Sequence, residues 1–328
     1  MMKERILELL QGRGFVSGQK ISEQLGVSRT AVWKYINALR KEGYELESVT
    51  RKGYRLLKSP DVLTRERLAG LLKPDLLTGD LCCYDSIDST NEEAKRKSRE
   101  GAPDDSLYVA DVQTRGKGRR GRSWKSPGGS DIFFSLLLKP DIPMESASMV
   151  TLVAAYAAVL TAQKYAREAC HIKWPNDIVL HGKKICGILT EMSTEMNQID
   201  AVIVGVGVNL NRTDFEPEIQ DMAGSILSES GRSVNRGEFL RDFIKEFNRV
   251  YQEFLDRGDL SFLRPAYNSR LINVNRQVRI IRPPSLGDMT GTALGINDRG
   301  ELLVRDAEGG LHEIRSGEVS VRGLYGYV

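Results

Sequence analysis

The chain has 328 residues, 41% of them hydrophobic and 28% charged, which suits a soluble globular protein of two or three domains. Its net charge of +3 conceals an asymmetry. Residues 1–60 hold 12 Lys+Arg against 6 Asp+Glu and the rest hold 35 against 38, so a polyanionic partner is expected at the N-terminus. Four cysteines (Cys82, Cys83, Cys170, Cys186) without a Cys-x-x-Cys pair, and three scattered histidines, argue against a zinc site or a disulfide framework and for a reducing cytoplasm.

The opening residues run straight into an amphipathic pattern, so no signal peptide is expected. That pattern predicts a helix over 3–11 with Ile6, Leu9 and Leu10 inward. Ser17 can cap a second helix ending at Gly26, and Ser28 a third ending at Gly43. In the third, Val32, Ile36 and Leu39 share an apolar face, while Thr30, Trp33, Lys34, Asn37 and Lys41 lie opposite. Residues 44–49, the turn Thr50-Arg51-Lys52-Gly53 and residues 54–57 read as a β-hairpin with a basic tip. The whole resembles a winged helix-turn-helix. That resemblance puts Ser28, Arg29, Thr30, Trp33, Lys34 and Asn37 at the DNA major groove, and Arg51 and Lys52 on phosphate. A helical module that binds another protein is the alternative.

Lys58-Ser-Pro60-Asp61 reads as a linker, residues 61–72 as a helix stopped before Pro74, and 81–84 as a strand. Ser89 or Thr90 can cap the next helix, each with a glutamate three residues on, a capping-box pattern. A strand over 107–112 leads into Gln113–Trp124, which holds three glycines (Gly116, Gly118, Gly121) and five cations (Arg115, Lys117, Arg119, Arg120, Arg122). Glycines let a backbone approach a ligand closely, and arginines grip phosphate or carboxylate bidentately. The stretch suits a loop that wraps a nucleotide's phosphates. Gly116-x-Gly118-x-x-Gly121 also spells the dinucleotide fingerprint, but that needs a helix at its third glycine, and Arg122-Ser-Trp-Lys-Ser-Pro127-Gly-Gly129 cannot start one. A solvated basic loop or nucleic-acid patch is the plainer alternative, although it would not require the glycine spacing.

Residues 132–138 form a continuous apolar strand. Next comes a long helix over 144–169, whose uncharged part is rich in Ala, Ser and Thr and reads as buried rather than membrane-spanning. Lys173-Trp174-Pro175-Asn176-Asp177 reads as a strand end and turn. Residues 178–180, the turn His181-Gly182 and residues 184–191 form a hairpin. Lys184 lies there amid Ile185, Cys186, Ile188 and Leu189, where a half-buried cation is unusual unless it meets an anion. A structural ion pair with Asp177 or Glu191 is the alternative. After a buried strand over 201–208 and a polar loop over 209–212, the segment up to Gly231 has few apolar residues and reads as a mobile cover. Helices are expected over 237–255 and 260–268. Short strands over 278–281, 289–296, 302–305, 311–314 and 318–321 then suggest a small barrel.

The loop carries a family resemblance. Gly116-Lys-Gly-Arg-Arg-Gly-Arg-Ser-Trp124, preceded by Ser89-Thr90-Asn91, resembles the signature of biotin protein ligases, with lysine at 117 where arginine is commonest. Lys173–Asp177, Gly182-Lys-Lys184-Ile-Cys-Gly187-Ile-Leu-Thr-Glu191 and Gly205-Val-Gly207-Val-Asn209-Leu-Asn211 match further motifs in the right order. The resemblance implies an α+β chain in three parts. Residues 1–60 would be a winged-helix DNA-binding domain. Residues 61–271 would be a mixed α/β catalytic domain like class II aminoacyl-tRNA synthetases and lipoate/biotin ligases, and residues 272–328 an SH3-like β-barrel.

It also implies a two-step reaction. Biotin's carboxylate attacks the ATP α-phosphate to give biotinyl-5′-AMP, and a lysine of a biotin carboxyl-carrier protein of acetyl-CoA carboxylase, or of another biotin-dependent carboxylase, then takes the biotinyl group. By resemblance, Ser89, Thr90, Asn91, Gln113 and the Lys117–Arg119 stretch hold biotin, and Gly116 belongs to the same binding loop. Arg119, Arg120 and Arg122 meet phosphates, Trp124 the adenylate, and Lys184 bridges carboxylate and α-phosphate. Asn176, Asp177, Gly187 and Asn209 line the site, with Asp177 a candidate to orient or deprotonate the incoming lysine. Mg²⁺ is expected with the nucleotide, with no dedicated protein metal site. The implied protein is cytoplasmic, dimerises when adenylate is bound, and represses biotin genes at operator DNA. A lipoate-type ligase and a biotin-sensing regulator without catalysis are the alternatives.

Overall fold

The computed structural model describes residues 2–10, 14–195, 198–282, 287–316 and 320–323. The chain divides into two compact units, Met1–Val62 and Leu63–Val328.

The first unit contains helices α1 (Met2–Leu10), α2 (Gly18–Leu25) and α3 (Arg29–Lys41) and the hairpin β1 (Glu45–Val49), β2 (Gly53–Lys58). Residue 11 of the expected first helix lies outside the described residues. Ser17 Oγ accepts from the Lys20 N–H at 3.1 Å and Ser28 Oγ from the Ala31 N–H at 3.2 Å, so both caps form as the sequence suggests. Gly26 ends α2 in the left-handed region at φ 66°. Ile6, Leu10, Ile21, Val32, Ile36 and Leu39 bury together, which turns the opposite face of α3 outward. The Arg40 guanidinium donates to Leu46 O and Ser48 Oγ and ties that helix to the hairpin. Val16 and Tyr54 exchange backbone hydrogen bonds at 2.8 and 2.9 Å, giving the hairpin a third arm.

The second unit is built on a seven-stranded sheet of order β3-β4-β5-β9-β8-β7-β6. Its elements run α4 (Arg65–Leu76), β3 (Leu81–Ile87), α5 (Thr90–Arg99), β4 (Ser106–Gln113), β5 (Ile132–Leu138), α6 (Met149–Ala166), β6 (His171–Lys173), β7 (Asp177–Leu180), β8 (Lys183–Glu195), β9 (Gln198–Val208), α7 (Ile226–Ser230), α8 (Arg236–Arg257) and α9 (Arg264–Asn268). Among the described residues, β3 and β4 are the one pair of neighbouring strands in this sheet that runs parallel. One sheet face packs on α6 and α8 through residues such as Phe134, Val204, Val206 and Phe243. The other meets α5 through Ala94, Tyr108, Leu137 and Ile203. Side chains alternate along a strand, so Gly205 and Gly207 share the α5 face with Ile203. Met144–Ala166 is long and apolar enough to cross a membrane by length and composition, but 72% of its apolar window is buried inside this unit.

Several expected boundaries shift. The helix expected over 61–72 starts at Arg65, where Thr64 Oγ1 accepts from the Arg67 N–H. It breaks at Lys73 (φ 21°, ψ 154°), because Pro74 disfavours the α conformation in the residue before it. The long helix stops at Ala166, with Arg167 in the left-handed region, and its first turn, Met144–Ser146, is 3₁₀. His181 (φ 49°) and Gly182 (φ 82°) both have positive φ, as a two-residue hairpin turn requires. The C-terminal strands β10 (Gln277–Ile281), β11 (Met289–Ile296), β12 (Leu302–Arg305), β13 (Leu311–Ile314) and β14 (Ser320–Gly323) form one sheet of order β13-β12-β11-β10-β14. Its end strands do not pair with each other, so among the described residues this is an open sheet rather than the closed barrel expected. Residues 318 and 319 of the last expected strand lie outside the described residues.

Gly53 sets the geometry of the N-terminal hairpin. Its φ is +104°, and a Cβ there would lie 2.1 Å from Val16 O and 2.5 Å from Ser17 Cα. Gly53→Ala is therefore expected to destabilise the first unit by about 3 kcal/mol, from backbone strain and overpacking together. Calorimetry should show the transition of that unit fall while the transition of the second stays in place.

Candidate functional site

The site stands on a bare patch of sheet. Gly187 pairs with Gly207 across β8 and β9, and Leu189 pairs with Gly205. Nothing projects from the three glycines, and three side chains from elsewhere lie over them. A Cβ on Gly205 would meet Asn91 Oδ1 at 2.0 Å, and one on Gly207 would meet Trp124 Cε2 and Nε1 at 2.8 Å. One on Gly187 would meet Trp124 Cζ3 at 2.7 Å and Lys184 Nζ at 3.0 Å.

Asn91 belongs to the first turn of α5. Ser89 holds the N-cap position but makes no side-chain capping bond, so the capping box expected here does not form. The two glutamates are engaged elsewhere: Glu92 with Lys95 and Lys117, Glu93 with Tyr84 and Arg96. Thr90 N–H donates to Gln113 Oε1 at 2.9 Å. Ser135 Oγ lies 2.8 Å from Thr90 Oγ1 and 2.6 Å from Asn91 Oδ1. Thr90 Oγ1 donates its own proton to Gln113 Oε1 at 3.1 Å, so the single Ser135 proton is shared between two acceptors, Thr90 Oγ1 and Asn91 Oδ1. Lone pairs on Thr90 Oγ1 and Asn91 Oδ1 are left over. This end of the cleft suits a ligand that brings N–H donors.

The glycine- and arginine-rich loop folds back on itself. Gly118 N–H donates to Arg122 O at 2.7 Å and Trp124 N–H to Gly116 O at 2.9 Å, around a 3₁₀ turn at Arg119–Gly121. No helix opens at Gly121, so the dinucleotide reading fails. The fold-back lays the Trp124 indole on the glycine floor, with Lys184 Nζ 5.1 Å from the ring centroid. Trp124 Nε1 is buried and lacks a hydrogen-bond partner among the described residues.

Three cations of the narrow cleft have partners. Lys184 Nζ lies 2.5 Å from Asp177 Oδ1, so the ion pair weighed from the sequence is made with Asp177, and Glu191 goes to Lys95 instead. Arg119 donates to Asn176 Oδ1 at 2.9 Å and to the carbonyl of Ser316. Burial lowers its pKa and the charge of Asp177 opposes that shift. Asn176 follows a cis Trp174–Pro175 bond, and its Nδ2 donates to Ile188 O at 2.8 Å. Lys117 pairs with Glu92 at 2.7 Å, and that hydrogen bond, with a second from Lys95, lowers the Glu92 pKa.

The structure thus gathers Ser89, Thr90, Asn91, Gln113, Lys117, Gly118, Arg119, Trp124, Asn176, Lys184 and Gly187 around one narrow cleft. A wider cleft continues from it past Arg120, Arg122, Asp177 and Asn209. Gly116 lines neither, and its part is to receive the Trp124 N–H. The segment read as a mobile cover is tied down: Lys184 N–H donates to Met222 O at 2.7 Å and Gly224 N–H to Lys184 O at 3.0 Å. Asn209 Nδ2 donates to Gly224 O and helps hold it. The sequence reading missed Ser135 and Lys95, and named Glu191 only as a possible partner of Lys184. A lone serine in the apolar run Ile132–Leu138 was the available signal for the first. It also missed Arg212, Phe215 and Glu216, which line the wider cleft.

In the N-terminal unit, Arg29, Thr30, Trp33 and Lys34 are exposed on one side of α3, with Trp33 55% exposed. Ser28 is used as the cap, and Asn37 Oδ1 accepts from Arg40 at 3.2 Å. Arg51 and Lys52 stand exposed at the hairpin tip, with Lys52 Nζ 5.8 Å and the Arg55 guanidinium 4.8 Å from the Phe15 ring.

Comparison with known proteins agrees with this geometry. Residues 83–209 match the biotin/lipoate A/B protein ligase family, residues 3–55 an HTH domain, and residues 274–322 the biotin protein ligase C-terminal domain. The chain is 40% identical over 326 residues to the bifunctional ligase/repressor BirA of Bacillus spizizenii, covering 98% of each chain. It is 29% identical to that of Escherichia coli, covering 97% of this chain and 96% of the other. A biotin protein ligase from Aquifex aeolicus, solved with biotin and ATP, superposes with a TM-score of 0.65 at 29% identity, covering 74% of this chain and 99% of that one. The chain belongs to the bifunctional ligase/repressor family of biotin protein ligases.

Proposed function

We propose that the chain makes biotinyl-5′-AMP from biotin and ATP, transfers the biotinyl group to a carrier-protein lysine, and represses transcription in response to biotin. The observation that carries this reading is one cation, Lys184, at the meeting point of two clefts. The narrow cleft ends in acceptors that suit the N–H groups of a ureido ring. The dithiolane ring of lipoate has no such donors, which disfavours the lipoate alternative. The wider cleft is lined by Arg119, Arg120 and Arg122, cations suited to the phosphates of a nucleotide.

The roles follow from the chemistry. A carboxylate and a triphosphate repel, so the site needs fixed cations that strengthen their grip as charge moves to the leaving oxygens. Lys184 is placed to leave Asp177 and bridge the carboxylate and α-phosphate. Asp177, then released, can orient the acceptor lysine or take its proton. Ser89, Thr90, Asn91, Gln113 and the Lys117–Arg119 stretch hold the biotin ring and tail, and Trp124 offers its face and free N–H to the adenylate. Among the described residues, no group of three His, Cys, Asp or Glu could hold a metal ion. Mg²⁺ would come with the nucleotide, whose phosphoryl oxygens supply most of its ligands. We further propose division at residues 60 and 271, a class II synthetase-like central fold, an SH3-like C-terminal sheet, a cytoplasmic setting, and a homodimer formed with adenylate. The acceptors would be carboxyl-carrier proteins of biotin-dependent carboxylases.

ATP/pyrophosphate exchange with biotin is the direct test of the ligase half. Lys184→Ala is expected to lower the exchange rate by ~10²–10³ while the chain stays folded, since one charge-assisted transition-state contact is lost. Near-normal exchange in the folded variant would remove Lys184 from the chemistry.

A single α3 contacts one half-site, so specific DNA binding calls for two subunits on a two-fold operator. Adenylate can promote it only by binding the dimerising state more tightly than the other. In a titration at fixed salt, biotin plus ATP is expected to raise operator affinity at least tenfold. Trp33→Ala or Lys34→Ala should weaken DNA binding and leave ligation intact. Equal affinity with and without biotin and ATP would end the switch, and the ligase reading would stand.

A further inference from the structure

We infer that Glu191 decides which chemical group the end of the narrow cleft accepts, by fixing the side-chain amide of Asn91. The inference rests on the biotin reading and adds a positioning residue to it. Asn91 Nδ2 carries two protons. One is donated to Leu189 O at 3.2 Å and the other to Glu191 Oε2 at 2.7 Å. Both partners only accept, so the nitrogen must face them and Oδ1 must face Ser135 and the cleft.

Ser135 cannot fix that choice, because its hydroxyl can turn to donate to an oxygen or to accept from a nitrogen. Leu189 O favours the same orientation, but through a longer bond to a neutral acceptor. The carboxylate bond is shorter and charge-assisted, and it contributes the larger share. With the amide held, Oδ1 spends one lone pair on Ser135 and keeps the other for the ligand. Turned over, the amide would aim N–H at the ligand's own N–H, and two donors would face each other. The cleft's preference for a cyclic ureide or lactam therefore depends chiefly on Glu191 holding Asn91.

Glu191 is itself held. Lys95 Nζ donates to its other oxygen at 2.7 Å and to Glu92 Oε1 at 2.9 Å, and Glu92 also receives Lys117. An unbroken chain of charge-assisted bonds therefore runs from the glycine- and arginine-rich loop through Glu92, Lys95 and Glu191 to the amide.

The test uses the full-length chain and two ligands, biotin and an analogue with methylene groups in place of the ureido N–H groups. In Glu191→Gln, calorimetry is expected to show biotin binding ~10-fold weaker, the value of one well-placed hydrogen bond. Binding of the analogue and of ATP should change less than ~2-fold, because neither uses the Asn91 acceptor. The preference for biotin over the analogue shrinks accordingly. Glu191→Leu, of similar volume and unable to accept, should narrow it further. Weakening of both ligands by the same factor would show a merely structural role and overturn the inference, as would unchanged biotin affinity. Should the wild-type chain fail to bind biotin, the biotin reading falls and this inference with it.

Discussion

The glycine floor is the constraint on which the rest of the site depends. Glycine in a strand interior is unfavourable, because it orders a freer backbone and packs no side chain. Three such positions lie together on the α5 face of β8 and β9. The opposite face is unaffected: Ile188 and Val206 pair across the same two strands and stay buried against the core. The loss on one face is therefore offset by an intact core on the other. What the bare face gains is proximity. Asn91, Trp124 and Lys184 approach the backbone within distances that any Cβ would forbid, so their side chains rest on the sheet itself. The loop's fold-back, the helix that begins at Thr90 and the hairpin that presents Lys184 all converge on this patch.

Much of that was legible in the sequence. The glycine spacings, the run of cations and the lone lysine in an apolar strand each marked a site residue, because each is a poor choice for stability alone. The caps at Ser17 and Ser28 were legible for the opposite reason, since a serine just before an amphipathic helix stabilises it locally. Ser89 misled, since a serine before a helix with glutamate at the right spacing looks like a cap, and only tertiary partners drew Glu92 and Glu93 away. The pairing of Glu191 with Lys95 was not legible, because a charged pair from a helix and a strand 96 residues apart leaves no local pattern. The segment around Met222 looked mobile from composition, but its backbone pairs with the edge of β8 at Lys184, and backbone pairing does not depend on apolar side chains. The C-terminal strands were counted correctly where described, yet closure depends on which strands meet, and spacing along the chain does not encode that.

The electrostatics carry the last step. The site satisfies three of its cations with its own groups: Lys184 with Asp177, Lys117 with Glu92, and Arg119 with Asn176 and a carbonyl. A cationic cleft that must receive two anions would otherwise repel itself and hold its side chains in no fixed place. Internal partners remove that difficulty, and they also set the terms of binding. A ligand group gains only the difference between its own bond to the cation and the bond it replaces. A single carboxylate exchanging with Asp177 at Lys184 gains little, because one carboxylate replaces another. A phosphate beside that carboxylate gains more, since it adds charge that Asp177 alone did not supply. If Lys184 has its proposed role, the arrangement would therefore favour carboxylate and α-phosphate bound there together over either anion alone. On the proposed roles the mixed anhydride would form from that state, and Asp177, displaced from Lys184, would stay available for the acceptor lysine that arrives afterwards.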